Sequence, residues 1–419
     1  MPHDASSNVR SALSFRPVVR AIAVTALVWG AATARPAVAA VTLTQITHGG
    51  GFEPSISANG NTIVFDSNLD LAGQNASGAQ QIFSYDVALQ SFTQITHTTA
   101  VNKVFNFAPV ADDHGGKIAY FVDRLAKKGE RDPVFVFDRM TNTATKVAND
   151  ARSAQRLALS GNGSELYFIS QADLVPGGNS DHNDELFRFR TTTQTMRQMT
   201  STTSPFPGIT KFDPWVSRDG KRFAVASTDD LAGNGANDSG EVFFGMLPQV
   251  SSLLQQITPN ATTSGFSDEV SISADGKWMT FRSSQDLVSG QNSDHNEEIF
   301  LLSLASSTLT QVTNTIPSDS ANNVVPVVNQ DGTRILFAST GNLQPAVGNL
   351  DHNFELFVFD KTGSTFTQIT NTVPPRDNLG QGSPSFSADG TRAVFVSDAD
   401  LVPGQNTAHN FEVFLANVP

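Results

Sequence analysis

Apolar and polar positions in this chain fall into short runs with the period of two expected of β-strands, not the period of a helix. A stretch such as "SPSF" runs into an Asp-Gly or Asn-Gly pair, and the alternating "TRAVFVS" follows. That order predicts two strands, A and B, joined by a tight hairpin whose turn residues have positive φ. A polar loop then leads to "ELFRF" or "EIFLL", a Thr-, Ser- or Gly-rich turn, and "FTQIT" or "LTQVT", which read as strands C and D. The unit is a four-stranded meander.

The unit recurs. Copies include "ISANGNTIVFDS", "LSGNGSELYFIS", "VSRDGKRFAVAS", "ISADGKWMTFRS", "VNQDGTRILFAS" and "FSADGTRAVFVS", with a weaker one, "ADDHGGKIAYFV", after the first. Their anchoring glycines are Gly60, Gly116, Gly163, Gly220, Gly276, Gly332 and Gly390, spaced 47 to 58 residues apart. Seven such meanders predict an all-β fold, a seven-bladed β-propeller of four-stranded antiparallel blades. The repeats lie near 52–97, 107–148, 155–200, 212–258, 268–314, 324–371 and 383–419. The last copy stops after strand C, whereas "VTLTQITH" at 41–48 is an orphan strand D. The N-terminal strand is therefore expected to complete the last blade, removing two sheet edges.

Composition supports stacked sheets. The chain has 30 Phe against 3 Tyr, and Phe83, Phe135, Phe187, Phe243, Phe300, Phe357 and Phe414 share one position in strand C. A ring without a hydroxyl suits a dry core between blades.

Residues 1–40 are set apart by Arg10, Arg16 and Arg20 ahead of the apolar run "AIAVTALVWGAA" and the small-residue exit "ARPAVAA". This predicts a Sec-type signal peptide and a periplasmic or secreted protein, with residues 41–419 as one propeller domain. With no cysteine there is no disulfide framework, thiolate nucleophile or lipid-modified Cys, and no later segment is apolar enough to insert in a membrane. Removing residues 1–40, with four Arg and one Asp, takes the formal charge from −13 to −16. Such a surface argues against nucleic acid and favours cationic partners or divalent ions; the expected state is a monomer.

The run Pro384-x-Phe386-Ser387-x-Asp389-Gly390, the alternating strand ending in Ser397, the Asn-x-Glu-apolar-aromatic strand and the closing "TQIT" resemble the TolB-like, PD-type WD-repeat family over nearly all of residues 41–419. The resemblance implies a propeller and leaves the activity open, since propellers host many functions. TolB itself has six blades after an α/β domain, whereas seven copies fill this sequence. The prolyl oligopeptidase-type peptidases add an α/β-hydrolase domain to such blades, and no G-x-S-x-G nucleophile elbow occurs here.

Strand order puts the tight A–B and C–D turns on one face and the long B–C and D–A loops on the other, the expected face for a protein or small ligand. The B–C loops carry "NSDHNDELF", "NSDHNEEIF" and "NLDHNFELF". In an extended segment alternate residues share a side, which would align Asp181, Asn183 and Glu185 after Asn179. Asp294, Asn296 and Glu298 would follow Asn292, and Asp351, Asn353 and Glu355 would follow Asn349. Such oxygen sets make calcium the one candidate cofactor. The competing reading is architectural: Asn and Asp bond their own loop and Glu fixes the start of strand C. His182, His295, His352 and His409, and Ser67, Ser170, Ser227, Ser283, Ser339 and Ser397, are equally periodic, which assigns them to loops and strand ends and leaves no catalytic residue.

What does not repeat is the stronger lead. In blade 2 "RLAKKGERDP" replaces the acidic motif and presents Arg124, Lys127, Lys128 and Arg131, while "SPFPGITKFDP" presents Phe206 and Phe212 as a candidate partner footprint. The leading functional expectation is a non-catalytic, exported scaffold for protein or ligand binding. Two alternatives stand beside it: a metal-dependent lyase or hydrolase with its site at the channel mouth, and a calcium-stabilised surface protein.

Overall fold

A computed structural model describes residues 40–419 apart from 100–103, 125–131, 152–155, 204–213, 236–238, 249–252, 260–264, 317–321 and 376–383. Residues 1–39 of the expected signal peptide lie outside the described residues. Described regular structure is entirely strand, arranged as seven four-stranded antiparallel sheets that form a β-propeller. The first six blades span 52–94, 104–148, 158–198, 215–256, 267–311 and 323–368. No described helix is long and apolar enough to cross a membrane.

The seventh blade consists of Ser385–Phe386, Arg392–Ser397 and Glu412–Asn417 as strands A to C, and Thr42–Gln45 supplies its strand D. Thr42 pairs with Asn417 and Gln45 with Phe414. Beyond the strand, Glu412 clasps the incoming segment, accepting Thr47 Oγ1 at 2.6 Å and the Gly49 amide at 2.5 Å. The predicted closure is present.

Sheets stack through phenylalanine. In blades 1, 3, 5, 6 and 7 a strand B Phe stands directly opposite the strand C Phe, as in Phe65–Phe83 at 6.1 Å and Phe281–Phe300 at 5.8 Å between ring centroids. Six of the seven strand C rings are no more than 1% exposed, and Phe135 is half-buried. The cores lie between neighbouring blades: one joins Ile63, Phe65 and Phe83 of blade 1 to Val394, Val396 and Val413 of blade 7.

The hairpin turns differ from expectation in two details. Only the glycine has positive φ, 72° at Gly60, and the preceding Asn or Asp acts as an acceptor instead. Asp275 Oδ1, for example, takes the Ser273 hydroxyl at 2.6 Å and the Lys277 amide at 2.9 Å. In blade 2 the left-handed residue is Gly115, φ 67°, not Gly116, because the turn runs from Asp112 to Lys117 as that of blade 1 runs from Ser57 to Thr62, which makes Gly115 the counterpart of Gly60.

These turns lace the inner ring. Backbone amides pair from blade to blade, Asn59 to Asp113, Asp113 to Gly161, Asn162 to Arg218, Arg218 to Ala274, Asp275 to Gln330, Gln330 to Ala388, and Ala388 to Ala58. The circuit is complete. The central channel it surrounds holds a cavity of about 160 Å³ lined by strand A residues such as Ile56, Val110, Leu159, Val216, Ile272 and Val327.

Candidate functional site

The long-loop face is built from B–C loops held by their own side chains. In blade 5, Asp286 anchors the B–C loop by accepting the amides of Gly290, Gln291 and Asn292 at 2.7 to 3.1 Å, which holds its carboxyl below the usual range. A turn then follows, with the His295 amide on the Asn292 carbonyl at 3.2 Å. His295 is left-handed, φ 57°, as are His182, His352 and His409. This corrects the expectation that the motif is extended: the chain reverses at the histidine, so alternate side chains do not line up.

The consequence falls on every calcium candidate. Asp181, Asp294 and Asp351 point into solvent, whereas Glu185, Glu298 and Glu355 are buried at the start of strand C. Each glutamate is bonded to the end of strand D, Glu298 Oε1 taking the Thr315 amide at 2.6 Å and its hydroxyl at 2.7 Å. Thr202 and Thr372 serve Glu185 and Glu355 in the same way. Burial raises all three carboxyls above the usual range, against the lowering effect of those hydrogen bonds. Asn183, Asn296 and Asn353 donate to Thr202, Thr315 and Thr372, and their Oδ1 atoms are buried without a partner. Among the described residues no three His, Asp or Glu side chains come together to hold a metal ion.

The other periodic polar groups are also architectural. His Nδ1 meets the carbonyl of Gln171, Ser284, Thr340 or Asp398 at 3.1 to 3.3 Å, tying each loop to the end of strand B. The serines there accept the amide two residues on, as Ser283 does from Gln285 at 3.0 Å.

Of the expected partner footprint, Lys127, Lys128, Arg131, Phe206 and Phe212 lie outside the described residues. Arg124 ends the strand Lys117–Arg124, where its backbone pairs with Val104.

A site that the sequence reading missed lies on the same face, between blades 1 and 2. An open pocket of about 480 Å³ is lined by Glu53, Asp66, Asp123 and Gln80 and walled by Phe52, Phe105, Phe107 and Phe411. Asp66 is 2% exposed. Burial first, and the neighbouring Glu53 charge second, push its carboxyl well above the usual range, and burial raises Glu53 too. The available signal was one acid in the core position just before the strand-ending serine.

No protein-family model matches the chain, and no curated protein matches it in sequence. Solved structures do resemble it. An oligogalacturonate lyase from Vibrio parahaemolyticus is 13% identical with a TM-score of 0.59, over 90% of this chain and 94% of that one. The β-propeller domain of the Trilobed protease from Pyrococcus furiosus, described as having an open velcro topology, is 10% identical with a TM-score of 0.55, over 88% and 95%. TolB from Acinetobacter baumannii is 15% identical with a TM-score of 0.45, over 78% and 66%. At these identities the likeness is one of fold.

Proposed function

We propose that this chain is an exported, TolB-like propeller acting as a non-catalytic scaffold that binds a protein or small ligand on its long-loop face. One observation carries the reading: periodic polar groups there are engaged in holding blades together, while the Glu53–Asp66–Asp123 pocket sets an acid found at no other blade's equivalent position, Asp66, beside exposed aromatic surface. Surfaces that join aromatic anchors to fixed charge are those on which binding energy concentrates.

Site-specific photo-cross-linking in the native cell tests this. A cross-linker at Phe105, on the long-loop face, is expected to capture a discrete partner that one at Met140, on the tight-turn face, does not. Equal capture from both positions, or none from Phe105, would sink the scaffold reading. The enzyme alternative draws on the lyase likeness, and it predicts unsaturated products from oligogalacturonate with added manganese or calcium; the scaffold reading expects none.

Calcium stabilisation remains a second reading, supported by the partnerless amide oxygens of Asn183, Asn296 and Asn353. It expects the thermal midpoint to rise with calcium and fall with chelator, and an unchanged melt removes it.

A further inference from the structure

The pocket between blades 1 and 2 occupies a position that other blades keep apolar. Residues in register with Asp66, each following the strand B residue opposite the strand C Phe, are Phe121, Ile169, Ala226, Ala338 and Val396 in blades 2, 3, 4, 6 and 7. Blade 5 alone also has an ionisable group there, Arg282. Register makes the comparison residue by residue. Phe52 faces Asp66 as Asp268 faces Arg282, and Glu53 and Glu269 follow with φ 48° and 49°. Each glutamate accepts the amide of the next blade, Ala108 or Val325, at 2.6 Å.

In blade 5 this arrangement holds its own cation. Arg282 donates Nε and Nη2 to Asp268 at 2.8 Å each and Nη1 to Glu297 at 3.0 Å, with its guanidinium 5.1 Å from the Phe266 ring. In blade 1 the guanidinium is replaced by a carboxylate. Asp66 Oδ2 accepts Gln80 Nε2, its Oδ1 is buried with no donor in hydrogen-bond reach, and its carboxyl lies directly against that of Glu53. Among the described residues no cationic side chain lines the pocket. Arg156, whose charge reaches Glu53, instead stacks 5.0 Å over Trp215 and lines the channel. Two carboxyls buried side by side do not both ionise without a counter-charge, so a cation bound there would be held as they ionise, and aromatic faces attract cations.

We propose that Glu53, Asp66, Asp123 and the rings of Phe105 and Phe107 bind an organic cation, an alkylguanidinium or alkylammonium group, where blade 5 places Arg282. The inference rests on the scaffold reading and names the chemistry that its long-loop face takes. An organic group is favoured over a metal ion because the pocket is roomy and aromatic, and because no described acids converge to metal-ligand geometry. The cation has two sources, a free amine or guanidine and a basic side chain of a protein.

Calorimetric titration of the full chain with agmatine and with N-acetyl-arginine-methylamide, in buffer of fixed potassium chloride concentration, reads both sources. Saturable binding is expected, tighter for the peptide-like probe if the source is a protein and for agmatine if it is free. Phe105→Ala, at the exposed rim, is expected to weaken it at least about tenfold. Asp66→Arg, which puts a guanidinium beside Glu53 at the strand position of Arg282, is expected to abolish it while the cooperative melt is kept. No binding of either probe overturns the proposal, as does affinity unchanged by Phe105→Ala. If both probes fail while a cross-linker at position 105 still captures a partner, the cation inference falls and the scaffold reading stands.

Discussion

Glu298 shows how a residue that looks chemical in sequence is structural in space. Its carboxylate is buried, bonded to Thr315 and reached by Asn323 Nδ2 at 3.2 Å, and blade 1 performs the same task with a neutral Gln81 that accepts Thr96 Oγ1 at 2.7 Å. Because burial raises the Glu298 carboxyl above its unfolded value, the folded state favours the protonated form. Its favourable contribution is full below the unfolded pKa and is lost as pH rises through the folded one. Denaturant unfolding of the native chain and of Glu298→Gln across about pH 4 to 7 is therefore expected to show native stability falling relative to the variant as pH rises. A difference independent of pH would remove burial as the cause. The architectural role of the motif was legible from its repetition, whereas the left-handed histidine was not, since a non-glycine positive φ has no compositional mark at His295. Asp66 was passed over for a related reason: its oddity appears only once strand B is in register with the other blades.

At the scale of the element, the alternating strands were plain because each buries one face of a blade in a core shared with its neighbour. Phe300 illustrates the energetics, fully buried and stacked on Phe281 in a core with Met279 and Val270. Phe300→Ala is expected to cost about 3 to 5 kcal/mol, read as a lower denaturant midpoint with unchanged slope. A cost below about 1 kcal/mol would mean that adjacent blades collapse into the space. Loops and bulges were less legible. Strand A kinks at Glu53, Ala108, Glu269 and Val325, all left-handed, and these bulges aim the two glutamates at the next blade. Three different residue types occupy that position, so composition carries no signal for the bend.

The whole molecule was the most legible scale, since a missing strand at one end of the repeat array and a spare one at the other require each other. Deleting residues 41–48 removes the four-residue pairing with Glu412–Asn417, the buried Ile46, and the Thr47 hydroxyl that donates to Glu412. Leaving even one such buried group unsatisfied costs about 1 to 3 kcal/mol, so the truncated chain is expected to melt markedly lower or fail to fold. Unchanged stability would show that the other blades and their inner circuit of backbone bonds hold the ring without it.

The pairing of Thr42 with Asn417, whose side chains bond at 3.1 Å across 375 residues of sequence, also imposes a delay. A ribosome adding about 5 to 20 residues per second leaves the first strand waiting about 20 to 75 s for its partner. Throughout that interval the nascent chain carries an open strand that no completed blade satisfies, so the natural error is pairing between two chains, each lending its first strand to the other's last blade.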